Sequence, residues 1–453
     1  MNRLLACLGT FVLLVPALAE EPAKKLPAPD AATQAAAEKL IKNLFKDDFA
    51  KKKPAELLAL SAKLLEQAQE TRDDAAARFV LFREARDLAP QAGELPRALA
   101  VIERLAREFD VSRPAMKADV LSAATGLPAT PTLPKTLAET ALEVIDEAIA
   151  ADDFASAGRL VKLAEGAAQK AKSTPLATTA QARAKEIDAA RKEFDKAKEA
   201  ADALAKDPKN AAAHLVLGKR LCLRKGDWDQ GPVHLIEGGD PKLKELALKE
   251  LKAPSEPADQ VDLAEGWVEY ARPQAEPDKT AMLLRAYHWL RQARPKLTGI
   301  SRTKVDKLLL AMPRHYLVDL DEFDVKLGPW RFGKGELNGA VIEVNEVRSP
   351  NGLGLHPPAN DHAAVKYKLA KSGKTFKALV ALHDNTGGSL TPITFVVLGD
   401  GKPLWTSKPI KLSHEPQTCT VSVTGVDVLE LRVVCPGKYE GAHAVWVEPH
   451  VLR

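Results

Sequence analysis

The spacing of apolar residues changes once along this chain, near Pro313, and nothing else in the sequence constrains the fold as strongly. Before that point apolar side chains recur every three or four residues, the interval that lines one face of an α-helix. Leu57, Leu60, Leu64 and Leu65 make one such face, Ala77, Leu81, Ala85 and Leu88 a second, and Leu99, Ile102, Ala106 and Phe109 a third. Beyond Pro313 the interval becomes two, which sends alternate side chains to one face of a strand. Val365, Tyr367 and Leu369 alternate with lysines, and Phe376, Ala378, Val380 and Leu382, then Leu429, Leu431 and Val433, repeat the pattern. Turn clusters separate these runs at Lys371–Lys374, Asn385–Gly388 and Gly399–Lys402. The implied fold class is an N-terminal α-helical hairpin or repeat array followed by a C-terminal antiparallel β-sandwich.

The helical section is rich in Ala, Leu, Lys and Glu, the strongest helix formers, and ordered structure is expected from near Ala35. Residues 126–134 carry Pro128, Pro131 and Pro134, and each proline removes a backbone donor and disfavours helix at its predecessor. The stretch therefore reads as a linker between a first helical subdomain, 33–125, and a second, 135–313. Asp47-Asp48-Phe49-Ala50 and Asp152-Asp153-Phe154-Ala155 both read as helix starts, with Asp capping the free amides and Phe packing down on the preceding helix. Around His214 to Leu235, Leu217-Gly218 followed by Gly226-Asp227-Trp228 resembles a tetratricopeptide-type helix pair, without the strict period of such repeats. Helical hairpins of this kind bury their apolar faces against one another, which makes the array a surface for protein partners.

The first residues have the order of a secretory signal peptide: Arg3, an apolar run from Leu4 to Leu18, then Ala17-Leu18-Ala19. Residues 1–19 are read as that signal and 20–32, with Pro22, Pro27 and Pro29, as a flexible leader. The expected location is secreted, periplasmic or cell-envelope associated, and no run is long enough to span a bilayer. The formal charge of +4 is evenly spread, and from His315 onward 15 Lys and Arg stand against 15 Asp and Glu, which excludes a nucleic-acid footprint.

Across residues 316–453 several motifs occur in a fixed order: Gly328-Pro329-Trp330, then Asn351-Gly352-Leu353-Gly354-Leu355-His356, Tyr367-Lys368-Leu369, Asp384, and Asp400-Gly401-Lys402-Pro403-Leu404-Trp405-Thr406-Ser407. That order resembles the NPCBM family of carbohydrate-binding modules. The resemblance implies a galactose-binding-like jelly roll, a polysaccharide or glycoconjugate as partner, and no catalytic residue. The family's closing acidic-His-Ala-acidic-Trp pattern reads Ala442-His443-Ala444-Val445-Trp446 here, so both acidic positions are apolar.

The candidate carbohydrate-binding residues are His356, Asp384, Asn385, Trp405, His443 and Trp446. The histidines, the carboxylate and the amide offer hydrogen bonds to hydroxyls, and a tryptophan offers a flat apolar face to a sugar ring. Trp330 is a further stacking candidate. Each has a competing structural reading: His443 ties the last strand to a loop, Asp384 caps the turn that Thr386 and Gly387 complete, and Trp446 fills the core. Seven of the ten histidines lie in this last third, but none has metal-ligand spacing. No cofactor is implied; calcium held by loop carbonyls with Asp384 or Asp400 is the sole ion reading left open. Asp319, Asp321, Glu322 and Asp324 form an acidic run that reads as a solvated face ahead of the first strand. Cys419 and Cys435 flank the Thr424-Gly425 turn and are a possible disulfide if their strands face each other. Two functions remain: a non-catalytic glycan-binding protein whose helices present the sandwich, and an envelope interaction scaffold whose sandwich has lost sugar binding.

Overall fold

The computed structural model describes residues 25–128, 130–413 and 415–453. The signal-peptide reading and residues 20–24 of the leader lie outside the described residues. The order is α then β, as the change of interval implies: helices run from Ala31–Leu44 to Gly299–Leu310, and two antiparallel sheets follow. Among the described residues no helix is long and apolar enough to cross a membrane.

Ordered structure begins earlier than Ala35. Leu26–Pro27 pairs in parallel with Phe109–Asp110, and Asp30 caps the first helix by accepting from the Thr33 amide at 2.9 Å. Asp153 caps Phe154–Lys170 in the expected way, accepting from Ser156 at 2.9 Å. Asp48 does not cap; its carboxylate pairs with Lys51 and Lys63 instead, 2.7 and 2.9 Å away. The proline-rich stretch redirects the chain without dividing the core. Ile102, Ala118 and Leu121 on one side of it share a buried cluster with Leu137, Ala141 and Ile145 on the other, and Leu127 packs against that cluster. The leucines beside the prolines supply the reason, since leaving Leu127 and Leu133 in water costs more than bending the chain to cover them.

Farther along, the helices Pro241–Leu251, Pro257–Ala271 and Asp278–Ala293 close around a buried carboxylate. Glu250, with a side chain 1% exposed, accepts from the indole nitrogens of Trp267 at 2.6 Å and Trp289 at 2.9 Å. Arg285 neutralises it through Nε at 3.0 Å, and its guanidinium stacks 4.4 Å over Trp228. A buried carboxylate is tolerated only when charge and hydrogen bonds are both supplied, and here both are.

In the C-terminal third, one sheet runs Gln417–Ser422, Thr375–Leu382, Ala444–Leu452, Leu353–Gly354, Gly333–Lys334, with Arg314–Tyr316 also paired to Ala444–Leu452. The facing sheet runs Lys402–Thr406, Gly388–Gly399, Val428–Cys435, Asp361–Lys368, Glu322–Lys326. Between them Tyr367, Phe376, Phe395, Leu431 and Trp446 are buried in one cluster. The acidic run is not a linker: Glu322–Lys326 is an edge strand, with Glu322 paired to Lys334 and Asp324 to Lys366, while Asp319 turns toward the helices. Cys419 lies opposite Ala378 in the first sheet and Cys435 opposite Asp361 in the second. The possible disulfide is not formed; both thiols are free and buried, because the Thr424-Gly425 connection carries the chain from one sheet to the other.

Two outcomes test this architecture. Glu250→Gln leaves the Arg285 charge buried and unpaired, so chemical denaturation should show a loss of about 3–5 kcal/mol in the transition that unfolds the helices. Thiol titration of denatured, unreduced protein lacking residues 1–19 should count Cys222, Cys419 and Cys435 as three free thiols.

Candidate functional site

Strand alternation decides which motif residues meet. On the closing strand Ala444–Leu452, Trp446 sits opposite Val380 and faces the core, so Val445 and Val447 face outward, and His443, just ahead of the strand, shares their side. Leu353 pairs with Trp446 and Gly354 with Val445, so the same alternation brings His356 to the outer side. There a second buried cluster of Leu337, Ile342, Val344, Ala381 and Val445 covers the sheet, and Trp330 packs against its edge.

The Gly-Pro-Trp and Gly-Leu-Gly-Leu-His motifs touch. Gly328 donates to the carbonyl of His356 at 3.0 Å, and a Cβ on it would meet the Pro357 carbonyl at 2.6 Å, so only glycine lets the two segments run this close. Trp330 is thereby laid against two imidazoles, with ring centroids 4.4 Å from His356 and 4.4 Å from His443. Tyr439 stands edge-on to His356 at 5.5 Å and is 38% exposed. Gly441, at φ 73°, lets this last loop press on the Gly388 carbonyl, which brings Tyr439 and His443 beside the Asn385–Gly388 turn.

Hydrogen bonds fix the ring orientations. His356 donates from Nδ1 to the Pro357 carbonyl at 3.0 Å, and His443 donates from Nδ1 to Asn385 Oδ1 at 2.7 Å. His383 donates from Nε2 to the Val341 carbonyl at 2.8 Å and accepts the Asn385 amide on Nδ1 at 2.9 Å, which holds the Asn385 backbone in place. Burial pushes the His356 imidazole down to about 4, and burial, then the neighbouring His383, also lowers that of His443. Both rings are therefore neutral near pH 7. The Asn385 amide hydrogens and the His443 Nε2 lone pair have no partner among the described residues, and they stand beside the exposed edges of Tyr439 and the half-buried Trp330. This is a neutral donor–acceptor pair next to aromatic surface.

Of the residues named from sequence, His356, Asn385 and His443 come together. His356 is only 2% exposed, so it supports Trp330 from beneath. Asp384 is adjacent but occupied: it accepts the amides of Asn345, at 2.8 Å, and Glu346, and so steadies a hairpin turn whose two residues have φ of 51° and 63°. It caps that hairpin and not its own turn. Asp400 likewise accepts the Asp427 and Val428 amides. Trp446 is removed from the list of sugar contacts, because strand alternation buries it completely, edge-on to Phe395 at 5.3 Å. Trp405 is half-buried on the other sheet's edge strand, opposite Val397 and toward the end of its partner strand far from Gly388, so it does not join the cluster. His414 lies outside the described residues. Ala442 and Val445, where the family pattern has acids, are fully buried. Tyr439 was missed; it lies on no strand and in no motif, and only its proximity to His356 marks it. Trp330 was legible as a stacking residue, but its partners were not.

The model of the NPCBM/NEW2 domain matches residues 315–452. A Renibacterium salmoninarum protein named as a candidate endo-alpha-N-acetylgalactosaminidase is 29% identical over 116 residues, which are 25% of this chain and 7% of that protein. Among solved structures, the CBM51 of Clostridium perfringens GH95 in complex with methyl-galactose is 18% identical with a TM-score of 0.28, covering 30% of this chain and 99% of that one. The tandem CBM51 modules of the family 98 glycoside hydrolase from Streptococcus pneumoniae SP3-BS71 are 19% identical with a TM-score of 0.28, covering 31% and 47%. On the strength of the matched residues, the C-terminal third of this chain is an NPCBM/NEW2 domain.

Proposed function

We propose that the protein is an exported, non-catalytic glycan-binding protein, in which the cluster of Trp330, Tyr439, His443 and Asn385 holds a neutral sugar and the helical array presents the sandwich or docks protein partners. The observation that carries this reading is the pairing of an open amide and imidazole nitrogen with partly exposed aromatic rings, within the residues matched by an NPCBM/NEW2 domain. Tyr439 and Trp330 offer the apolar surface that a sugar's C–H face covers, while Asn385 Nδ2 donates to a hydroxyl and His443 Nε2 accepts from one. The signal-like first residues support a secreted, periplasmic or envelope location.

A second reading, an envelope interaction scaffold without sugar binding, is favoured by one observation: the apolar residues Ala442 and Val445 fill the family's acidic positions. A glycan array with the full mature chain separates the two, since the scaffold reading expects no retained saccharide.

With the best saccharide found, Asn385→Ala and Tyr439→Ala should each weaken binding about tenfold or more while leaving the melting temperature unchanged. Trp405→Ala should leave binding as it was. Equal binding by all three variants would remove the cluster as the sugar site.

The lowered imidazoles also predict a pH dependence. His443 accepts only while neutral, so retention should stay level on acidification through the ordinary imidazole value of 6.5 and fall below it. Over the same range the unfolded chain takes up protons at His356 that the folded domain refuses. Stability should therefore drop as pH falls from 6.5 towards about 4, measured as a falling melting temperature. Retention that halves at the unshifted value would show that the accepting nitrogen is not His443.

A further inference from the structure

A cleft of about 520 Å³ opens where the helix Asp278–Ala293 meets the sandwich, toward the end of the closing strand away from His443. Its walls come from both parts of the chain: Tyr287 and Arg291 from the helix, Arg314 and Tyr316 from the first sandwich strand, and Asn351 from the Gly-Leu-Gly segment. The floor is rigid. Tyr287 donates to Asp319 at 2.5 Å and accepts the Tyr316 amide at 3.1 Å. Arg291 reaches Asp319 at 2.9 Å and Asn351 at 2.8 Å, and Asn351 is held in turn by Glu448 at 2.6 Å.

On the surface of this cleft two guanidiniums face one carboxylate, the second carboxylate, Glu448, being turned to Asn351 behind the wall. Asp319 answers Arg291, while Arg314 pairs with no carboxylate among the described residues. Its sole side-chain contact of this kind is a long one, 3.4 Å from Nη1 to the Tyr316 hydroxyl, and its Nε is sealed from water without a partner. The guanidiniums of Arg291 and Arg314 also flank one aromatic ring, lying 5.3 and 6.0 Å from the Tyr316 centroid. A guanidinium short of hydrogen-bond acceptors, beside ordered tyrosine rings, matches a ligand that brings a planar carboxylate on a ring it can lay against them.

We propose that this cleft is a second saccharide subsite, one that takes a sugar carrying a carboxylate, with Arg314 as its anion-binding residue. The proposal rests on the glycan reading only for the ligand being a saccharide; the excess positive charge stands without it. The two subsites differ in chemistry: the cluster around Trp330 is neutral, and the cleft is cationic.

Isothermal titration of the full mature chain with galacturonic acid trisaccharide, galactotriose and inorganic phosphate tests the assignment. The acidic trisaccharide should bind, and Arg314→Gln should weaken it about tenfold or more. Arg314→Lys, which keeps the charge without the planar fork, should fall between, and decides the matter if Arg314→Gln lowers the melting temperature. Tyr439→Ala should leave this binding unchanged. Acidic trisaccharide bound no more tightly than galactotriose, or wild-type affinity in Arg314→Lys, would overturn the proposal. Phosphate bound as tightly as the trisaccharide, and lost with it in Arg314→Gln, would overturn the saccharide assignment. Failure of galactotriose alone counts against the neutral site and supports the cleft's selectivity for acid.

Discussion

The sandwich depends on the pairing of its last strand. Ala444–Leu452 lies inside the first sheet, bonded on one side to Thr375–Leu382 and on the other to Leu353–Gly354 and Arg314–Tyr316. It therefore joins the end of the domain to its beginning, at the point where the chain leaves the last helix. Its register also sets which side chains face which way, and a slip of one residue would put Trp446 outside and Val445 and Val447 inside. Phe376, Phe395 and Trp446 pack together inside and oppose such a slip.

The same strand carries two chemically different surfaces. At its start the imidazoles of His356 and His443 are kept neutral by burial, and both rings lie against Trp330. Toward its end Glu448 anchors Asn351, which in turn receives Arg291 from the helices. The helical array is thus part of one wall and not a tethered appendage. Further contacts bind it elsewhere: Arg97 pairs with Glu415 at 2.8 Å, and Arg104 reaches Asn345 at 3.3 Å. Asn345 belongs to the hairpin turn that Asp384 steadies, and Asp384 adjoins Asn385. Helix, hairpin and the Asn385–Gly388 turn are consequently linked by short polar steps.

The fold class was legible because hydrophobic interval is a local property: each helix or strand displays its own period without reference to the rest. The boundary at residues 126–134 was not, since prolines report a bend while only packing reports whether Leu121 and Leu137 share a core. Asp47 and Asp48 show the same limit. Their sequence matches that of Asp152 and Asp153, yet one aspartate pairs with lysines and the other caps a helix, because Lys63 comes within reach only in the folded chain.

What the sequence by itself determined is the α-then-β order, the sandwich motifs and the presence of His356, Asn385 and His443 at strand ends. Alternation and turn chemistry act over a few residues, and these features follow from them. Only the tertiary structure decided that Trp446 is core while Trp330 lies against His356 and His443, that Asp384 is spent on a neighbouring hairpin, and that Cys419 and Cys435 sit in different sheets. Each depends on which strand lies beside which, and strand order is settled by the burial of the whole domain, in which residues far apart in the chain compete for the same neighbours.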